Sequence, residues 1–399
     1  MSTVAQRFRR GRSGTSRLLV VVLAGTMLLD ALEVSVLLPV LPQFDVAPGE
    51  AQWLMSGFAL GFGLVLPAGP RLAARYGRRR VYLAALVCFT VASTVAGVTG
   101  DFGVLIACRL IKGACAALTA SGGLAVLAAA VPDGPRQRRV VAQYAAFGAA
   151  GFTAGLLASG ILAGSGTRWV LLFPAPAALV LLACAIAVVP ADGLRVPVAQ
   201  LSWRSAREGV FLRSAFGAAT LNGTYLATLV TTTYALHERQ GWSPLAVAAG
   251  CLPACLPVAL VSPFAARLVA VAGTARLIAL GAVATVTGYA WQLSPSIDMG
   301  YSRLLPTLLL VGLGFALSFG ALNMQVLAAV PAADRGRVVP LYQSCVQFGA
   351  VALLVGVVAM VGLDGPLWMV ITAVGAAGAY AALVGVRNFP TAENRGGIG

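Results

Sequence analysis

Apolar residues in this chain neither alternate nor mark one stripe of short helices; they run on, in stretches broken by short segments rich in Arg, Gly and Pro. A helix needs about 20 consecutive apolar residues to cross the hydrocarbon of a bilayer. Twelve such stretches are read, over 18–41, 52–72, 80–99, 103–130, 139–164, 169–190, 210–236, 244–270, 275–293, 302–330, 339–362 and 366–387. The first follows an Arg-rich start and carries Asp30 and Glu33, so it is expected to be a retained helix rather than a cleaved leader.

The polar breaks are uneven. Even-numbered gaps hold the cations: Arg71, Arg75, Arg78, Arg79 and Arg80 in the second, Arg136, Arg138 and Arg139 in the fourth, Arg195, Arg204 and Arg207 in the sixth. Odd-numbered gaps hold almost none. Cation-rich loops stay on the cytoplasmic side, so both termini are expected there, in a cell membrane. The expected division is a tail over 1–17, a six-helix bundle over 18–190, a linker over 191–209, a second bundle over 210–387 and a tail over 388–399.

Composition agrees. Of 399 residues, 59% are hydrophobic and 10% charged, with a mean hydropathy of +0.88. A soluble domain carries roughly 25% charged residues, so lipid must solvate much of this surface. The net charge of +15 sits in clusters flanking apolar runs, which argues against nucleic-acid binding. The seven cysteines lie inside apolar runs, and the single histidine, His237, cannot build a zinc site. No metal, cofactor or enzymatic constellation is expected.

The chain also repeats itself. Pro67, Arg71, Leu72, Gly77 and Arg80 recur as Pro263, Arg267, Leu268, Gly273 and Arg276, at a constant offset of 196 residues. Two parallel six-helix repeats enclosing a midplane cavity are one architecture of secondary transporters.

Charge inside a span is costly and is normally paired or functional. Asp30 and Glu33 are three apart in the first span, as are Arg109 and Lys112 in the fourth, so each pair shares a helix face. At 1.5 Å per residue the acids lie about 18 and 22 Å above the inner face and the bases about 21 and 16 Å. All four therefore occupy one layer. They form either a structural ion-pair cluster or a site whose carboxylate takes up a proton.

These residues resemble the major facilitator superfamily, and within it the drug:proton antiporters. Leu29-Asp30 through Pro39 is similar to the first-helix motif, with Asp30 at the family aspartate and Ser35 in place of asparagine. Segment 70–80 resembles the cytoplasmic loop signature, with Arg75, Gly77, Arg78 and Arg79 matching. Ala74 stands where the gate aspartate is expected, and Ala270 in the second copy. Arg109 and Gly113 match the fourth-helix motif, with Lys112 replacing glutamine. Gly151, Gly155 and Gly160 match the antiporter motif of the fifth helix, whereas Leu156 stands at its proline.

The resemblance implies an all-α membrane fold of twelve helices in two pseudo-symmetric bundles. It also implies a proton-coupling role for Asp30, Glu33, Arg109 and Lys112, with Asp30 the favoured proton carrier, paired to Arg109. Arg71, Arg75, Gly77, Arg78, Arg79, Gly151, Gly155 and Gly160 would serve gating and conformational change. Uncharged polar and apolar residues, namely Trp53, Met55, Asn222, Tyr225, Thr228, Asn323, Gln343 and Gln347, are candidates for a substrate cavity; interhelical hydrogen bonds suit the polar ones equally. The expectation is a monomer exporting a small hydrophobic or amphipathic compound against protons. Import of a metabolite is the alternative.

Overall fold

The computed structural model describes residues 2–130, 135–189, 209–294, 300–331, 334–360 and 364–387. The expected linker over 191–209 and tail over 388–399 lie almost wholly outside these. Among the described residues the regular elements are all helices. The long ones are α1 (Ser2–Ser35), α2 (Trp53–Val65), α3 (Arg78–Val98), α4 (Phe102–Ala130), α5 (Pro135–Leu162), α6 (Pro174–Val188), α7 (Gly209–Tyr234), α8 (Pro244–Val261), α9 (Ala265–Trp291), α10 (Tyr301–Ala329), α11 (Arg335–Val358) and α12 (Asp364–Arg387).

Ten helical stretches among the described residues are long and apolar enough to cross a membrane, against the twelve expected. Two features account for the difference. Pro244–Trp291 is one stretch of 48 residues, about 72 Å of helix at 1.5 Å per residue, more than twice the thickness of a bilayer core. Its helical path breaks at Gly273, where φ is 78°. The second feature is α7, which is not among the ten. Its threonines, Arg213 and Asn222 lower its hydropathy, yet Thr220, Thr224, Thr228, Thr231, Thr232 and Thr233 are all buried. This helix faces protein rather than lipid.

Helix packing repeats with a shift of six. In the first half α1 packs on α4, α5 and α6, α2 on α4, and α3 on α4 and α6. In the second half α7 packs on α10, α11 and α12, α8 on α10, and α9 on α10 and α12. The contacts between halves obey the same rule, since α2 meets α11 and α5 meets α8. The chain is therefore two pseudo-symmetric bundles joined along two seams.

The 196-residue offset is expressed in backbone conformation. Gly77 (φ 88°) and Gly273 (φ 78°) both take positive φ, a region that other residues avoid. Gly77 turns the chain between the short helix Gly69–Tyr76 and α3. Gly273 does the same between the first turns of α9 and the rest of it. Arg71 and Arg267 are both exposed, as are Ala74 and Ala270.

The apolar core is distributed asymmetrically along the helices. At the end remote from the Arg-rich loops, one cluster spans both bundles, with Leu37, Leu38, Leu41 and Leu54 packed with Leu229, Val230, Leu236 and Val247. A short 3-10 helix, Leu38–Gln43, closes this end. Toward the Arg-rich end the cores separate, one around Leu23, Tyr82 and Leu86 and another around Phe211, Ile278 and Tyr342. Close packing of apolar side chains thus joins the bundles in one shared cluster at that end.

Gly273→Ala tests the repeat. No atom lies within 4 Å of an added Cβ, so the cost is conformational, about 1–3 kcal/mol. A lower thermal unfolding midpoint of the purified protein is the expected outcome, with a similar loss for Gly77→Ala.

Candidate functional site

The first and fourth helices meet because their sequences let a third helix pack tightly against them. A side chain at Gly113 of α4 would run into the Phe58 carbonyl of α2, and one at Gly61 of α2 into the Leu110 carbonyl of α4. This reciprocal contact sets Arg109 and Lys112 at a fixed height. On the other flank, side chains at Gly151 and Gly155 of α5 would strike the Leu28 and Leu32 carbonyls of α1. The Ser35 hydroxyl then donates to the Phe152 carbonyl at 2.6 Å.

All four intramembrane charges are buried, with Asp30 6% exposed, Glu33 0%, Arg109 1% and Lys112 1%. The structure corrects the expected pairing: Glu33, not Asp30, holds Arg109. One Glu33 oxygen receives the Arg109 Nη1 at 2.5 Å, and the other faces the Lys112 ammonium at 2.5 Å. Arg109 also donates through Nη2 to the Glu33 carbonyl at 2.8 Å and through Nε to the Leu54 carbonyl at 2.6 Å. Aromatic faces complete the enclosure. Phe58 lies 4.9 Å from the guanidinium and Phe89 5.2 Å from the ammonium, placed for cation–π attraction.

Asp30 stands apart from this triad. It lies one helical turn before Glu33, and Oδ2 accepts a hydrogen bond from the Thr119 hydroxyl at 2.8 Å. Neither ion pair formed by the described residues involves it. Spacing could not separate the two acids, because three residues along a helix is only about 4.5 Å of rise. Side-chain length and the register of α4 decide which one reaches Arg109.

Candidate cavity residues divide. Tyr225 is at the seam: its ring centroid lies 6.2 Å from Phe152 of α5 and 4.6 Å from Phe315 of α10, which stacks on Phe319 at 4.7 Å. Its hydroxyl donates to the Ala254 carbonyl at 3.2 Å. Gln347 lies against Gly63 at the contact of α2 with α11. Gln343 donates to the Asn323 side chain at 3.1 Å. Thr228 is buried and donates to the Thr224 carbonyl at 2.8 Å. Met55 belongs to the apolar cluster that joins the bundles, Trp53 is exposed, and Asn222 is half-buried.

Of the arginines expected to serve gating, Arg71 and Arg75 are exposed, and Arg78 and Arg79 half-buried. Arg79 donates to the Ile186 carbonyl at 2.6 Å, satisfying a carbonyl in the last turn of α6. Gly160 lies against Pro244, Leu245 and Ala248 of α8, so the fifth-helix glycines serve two contacts, one within a bundle and one between bundles.

Sequence reasoning missed Thr119, Phe315 and Phe319. Signals were present. Thr119 is seven residues after Lys112, on the same face of α4, and Phe315 and Phe319 are four apart on α10.

A two-bundle helical membrane fold, with the fully buried charges of the described residues confined to one bundle, defines a protein of the secondary-transporter type. The sequence model of the Major Facilitator Superfamily matches residues 23–354, and the chain belongs to that family. Among its relatives, the puromycin resistance protein pur8 of Streptomyces alboniger is 32% identical over 238 residues, covering 57% of this chain and 43% of the relative. The MFS-type transporter EfpA of Mycobacterium tuberculosis, described as uncharacterized, is 29% identical over 167 residues, 41% of this chain and 32% of the relative. The cephamycin export protein CmcT of Amycolatopsis lactamdurans is 31% identical over 157 residues, 38% and 32%. The chain thus matches less than half the length of each. In fold it is similar to the human organic anion transporter MFSD10 (TETRAN), with a TM-score of 0.69 at 18% identity, covering 93% of this chain and 99% of that one. The nucleoside transporter NupG gives 0.74 at 12% identity, with 93% and 99% covered.

Glu33→Gln leaves two buried cations without a counter-charge, a loss of about 3–5 kcal/mol. Asp30→Asn keeps a carbonyl oxygen to accept from Thr119 and strands no cation, a loss of about 0.5–1.5 kcal/mol. Size-exclusion profiles of the detergent-extracted variants after graded heating should therefore rank Glu33→Gln clearly below Asp30→Asn. The reverse order would contradict the assignment of the triad.

Proposed function

We infer that the protein exports a small hydrophobic or amphipathic compound in exchange for protons, by alternating access between its two bundles. The observation that carries this reading is the buried Asp30 carboxylate, which has a hydroxyl donor and, among the described residues, no ion-pair partner, while its neighbour Glu33 has two. A buried carboxylate with that freedom can bind a proton without leaving a cation uncompensated. The relatives named for puromycin resistance and cephamycin export support the outward direction.

In this reading the Arg-rich loops face the cytoplasm. The substrate enters between the bundles from that side, where their cores are separate. Tyr225, Phe152, Phe315 and Phe319 offer it aromatic surface at the seam. A proton arriving from outside neutralises Asp30 and loosens α1 from α4, and the bundles rock about the α2–α11 and α5–α8 contacts. The expected gating residues Arg71, Arg75 and Arg78 line the cytoplasmic face, where exposed Ala74 and Ala270 offer no carboxylate to lock it.

A second reading, import of a metabolite, is favoured by Leu156, which stands where the antiporter motif has proline. The two are separable. Expression in an exporter-deficient host should raise resistance to puromycin or another antibiotic of a mixed panel. Inverted vesicles should then accumulate that compound only under an imposed proton gradient, and Asp30→Asn should abolish the gradient-driven part. Full gradient-driven uptake by Asp30→Asn would exclude the proton role, and counterflow with no gradient requirement would favour import.

A further inference from the structure

The Thr119 hydroxyl has one proton and three acceptors within reach. Asp30 Oδ2 is at 2.8 Å, the Ala116 carbonyl at 3.0 Å and the Cys115 carbonyl at 3.1 Å. A threonine in mid-helix ordinarily donates to a carbonyl one turn back. Here that default competes with a carboxylate on another helix. The charge-assisted bond is the stronger when the carboxylate is ionised, and the carbonyl becomes the better acceptor once it is not. Thr119 is 2% exposed, so bulk water offers little competition for either role.

Among the described residues, Thr119 is the only side chain that bonds to Asp30. On its own helix the nearest charge is Glu33, already held by Arg109 and Lys112. From α3, the Tyr82 hydroxyl donates to Thr26 at 2.7 Å. From α5, the Tyr144 hydroxyl donates to the Ala120 carbonyl at 3.3 Å. Cys115 of α4 joins the apolar cluster formed by Leu29, Ala85, Phe89 and Ala178, to which α6 contributes Ala177, Ala178 and Leu181.

We propose that Thr119 is a positioning residue that reads the proton state of Asp30 and transmits it to the contact between α1 and α4. With Asp30 ionised, Thr119 donates across the interface and clips the two helices together. When a proton from water binds the carboxylate, the Thr119 hydroxyl keeps its own proton and turns it to the Cys115 or Ala116 carbonyl. The Asp30 hydroxyl can then donate to Thr119 only as a neutral, weaker bond. The Glu33 triad stays intact throughout, so α1 and α4 remain hinged at Glu33 and loosen on the side of Asp30. This rests on the proton reading given above, and it adds a residue with no counterpart in the motifs quoted from the sequence.

The test needs no transported compound, because the proton is the probe. The full chain in lipid vesicles is titrated with acid while the protonated-carboxyl C=O stretch is followed by infrared difference spectroscopy. Asp30→Asn identifies the Asp30 component. Thr119→Val, which keeps the shape and removes the donor, should bind the proton about tenfold more tightly, a shift of about one pH unit. Thr119→Ser should restore the parent midpoint, and Tyr82→Phe should leave it unchanged. If Thr119→Val does not fold, Thr119→Ala makes the same measurement. A parental midpoint in a folded variant lacking the hydroxyl, with the band lost in Asp30→Asn, overturns the role of Thr119 alone. A band that survives in Asp30→Asn overturns both this proposal and the proton reading beneath it.

Discussion

Moving the Glu33 carboxylate and the Arg109 and Lys112 cations out of water costs several kcal/mol per ion, and the N-terminal bundle is arranged to offset that cost. Both carboxylate oxygens have a cation. The guanidinium adds two backbone carbonyls, and aromatic faces cover what remains of both cations. Such a cluster tolerates little displacement. It fixes the heights of α1 and α4 relative to each other, and through Leu54 and Phe58 it fixes α2 as well. One carboxylate serves two cations, which leaves the other carboxylate, on Asp30, to a neutral donor.

The close approaches around the cluster follow from this need. Small residues let helices pack backbone to backbone in lipid, where the hydrophobic effect gives no help in joining them. Gly61 and Gly113 provide that contact between α2 and α4, and Gly151 and Gly155 between α5 and α1. The C-terminal bundle copies the helix pairing without copying the charge. Its corresponding space is filled by hydroxyls and aromatic rings, several of which reach the seam. Symmetry of packing thus coexists with a division of chemistry, one bundle holding the fully buried charges found among the described residues and the other offering mostly neutral polar and aromatic surface.

The architecture was largely legible in the sequence because it depends on quantities that sequence carries directly. Span length, apolar runs and the bias of arginine between loops are local properties. The 196-residue repeat needs only comparison of the chain with itself, and the positive φ of Gly77 and Gly273 gives it a conformational basis. Where the reading differed, the cause was also physical. The polar character of α7 reflects burial against protein, and the stretch over Pro244–Trp291 breaks through one glycine rather than through a polar loop.

The chemistry was legible only as a group. Periodicity placed Asp30, Glu33, Arg109 and Lys112 in one layer, since depth follows from residue count along a helix. Which acid meets which base depends on the rotation and register of one helix against another. Those are set by the glycine contacts of α2 and α5 together with the ion pairs they bring into reach. For the same reason Thr119 was indistinguishable from any other threonine in a span until Asp30 was found opposite it. The sequence by itself determined the membrane fold, its internal repeat and the grouping of the buried charge on the first and fourth helices. Tertiary structure alone decided that Glu33 is the counter-ion and Asp30 the carboxylate left to a hydroxyl, because a hydrogen bond is settled over tenths of an ångström between helices that are distant in the chain.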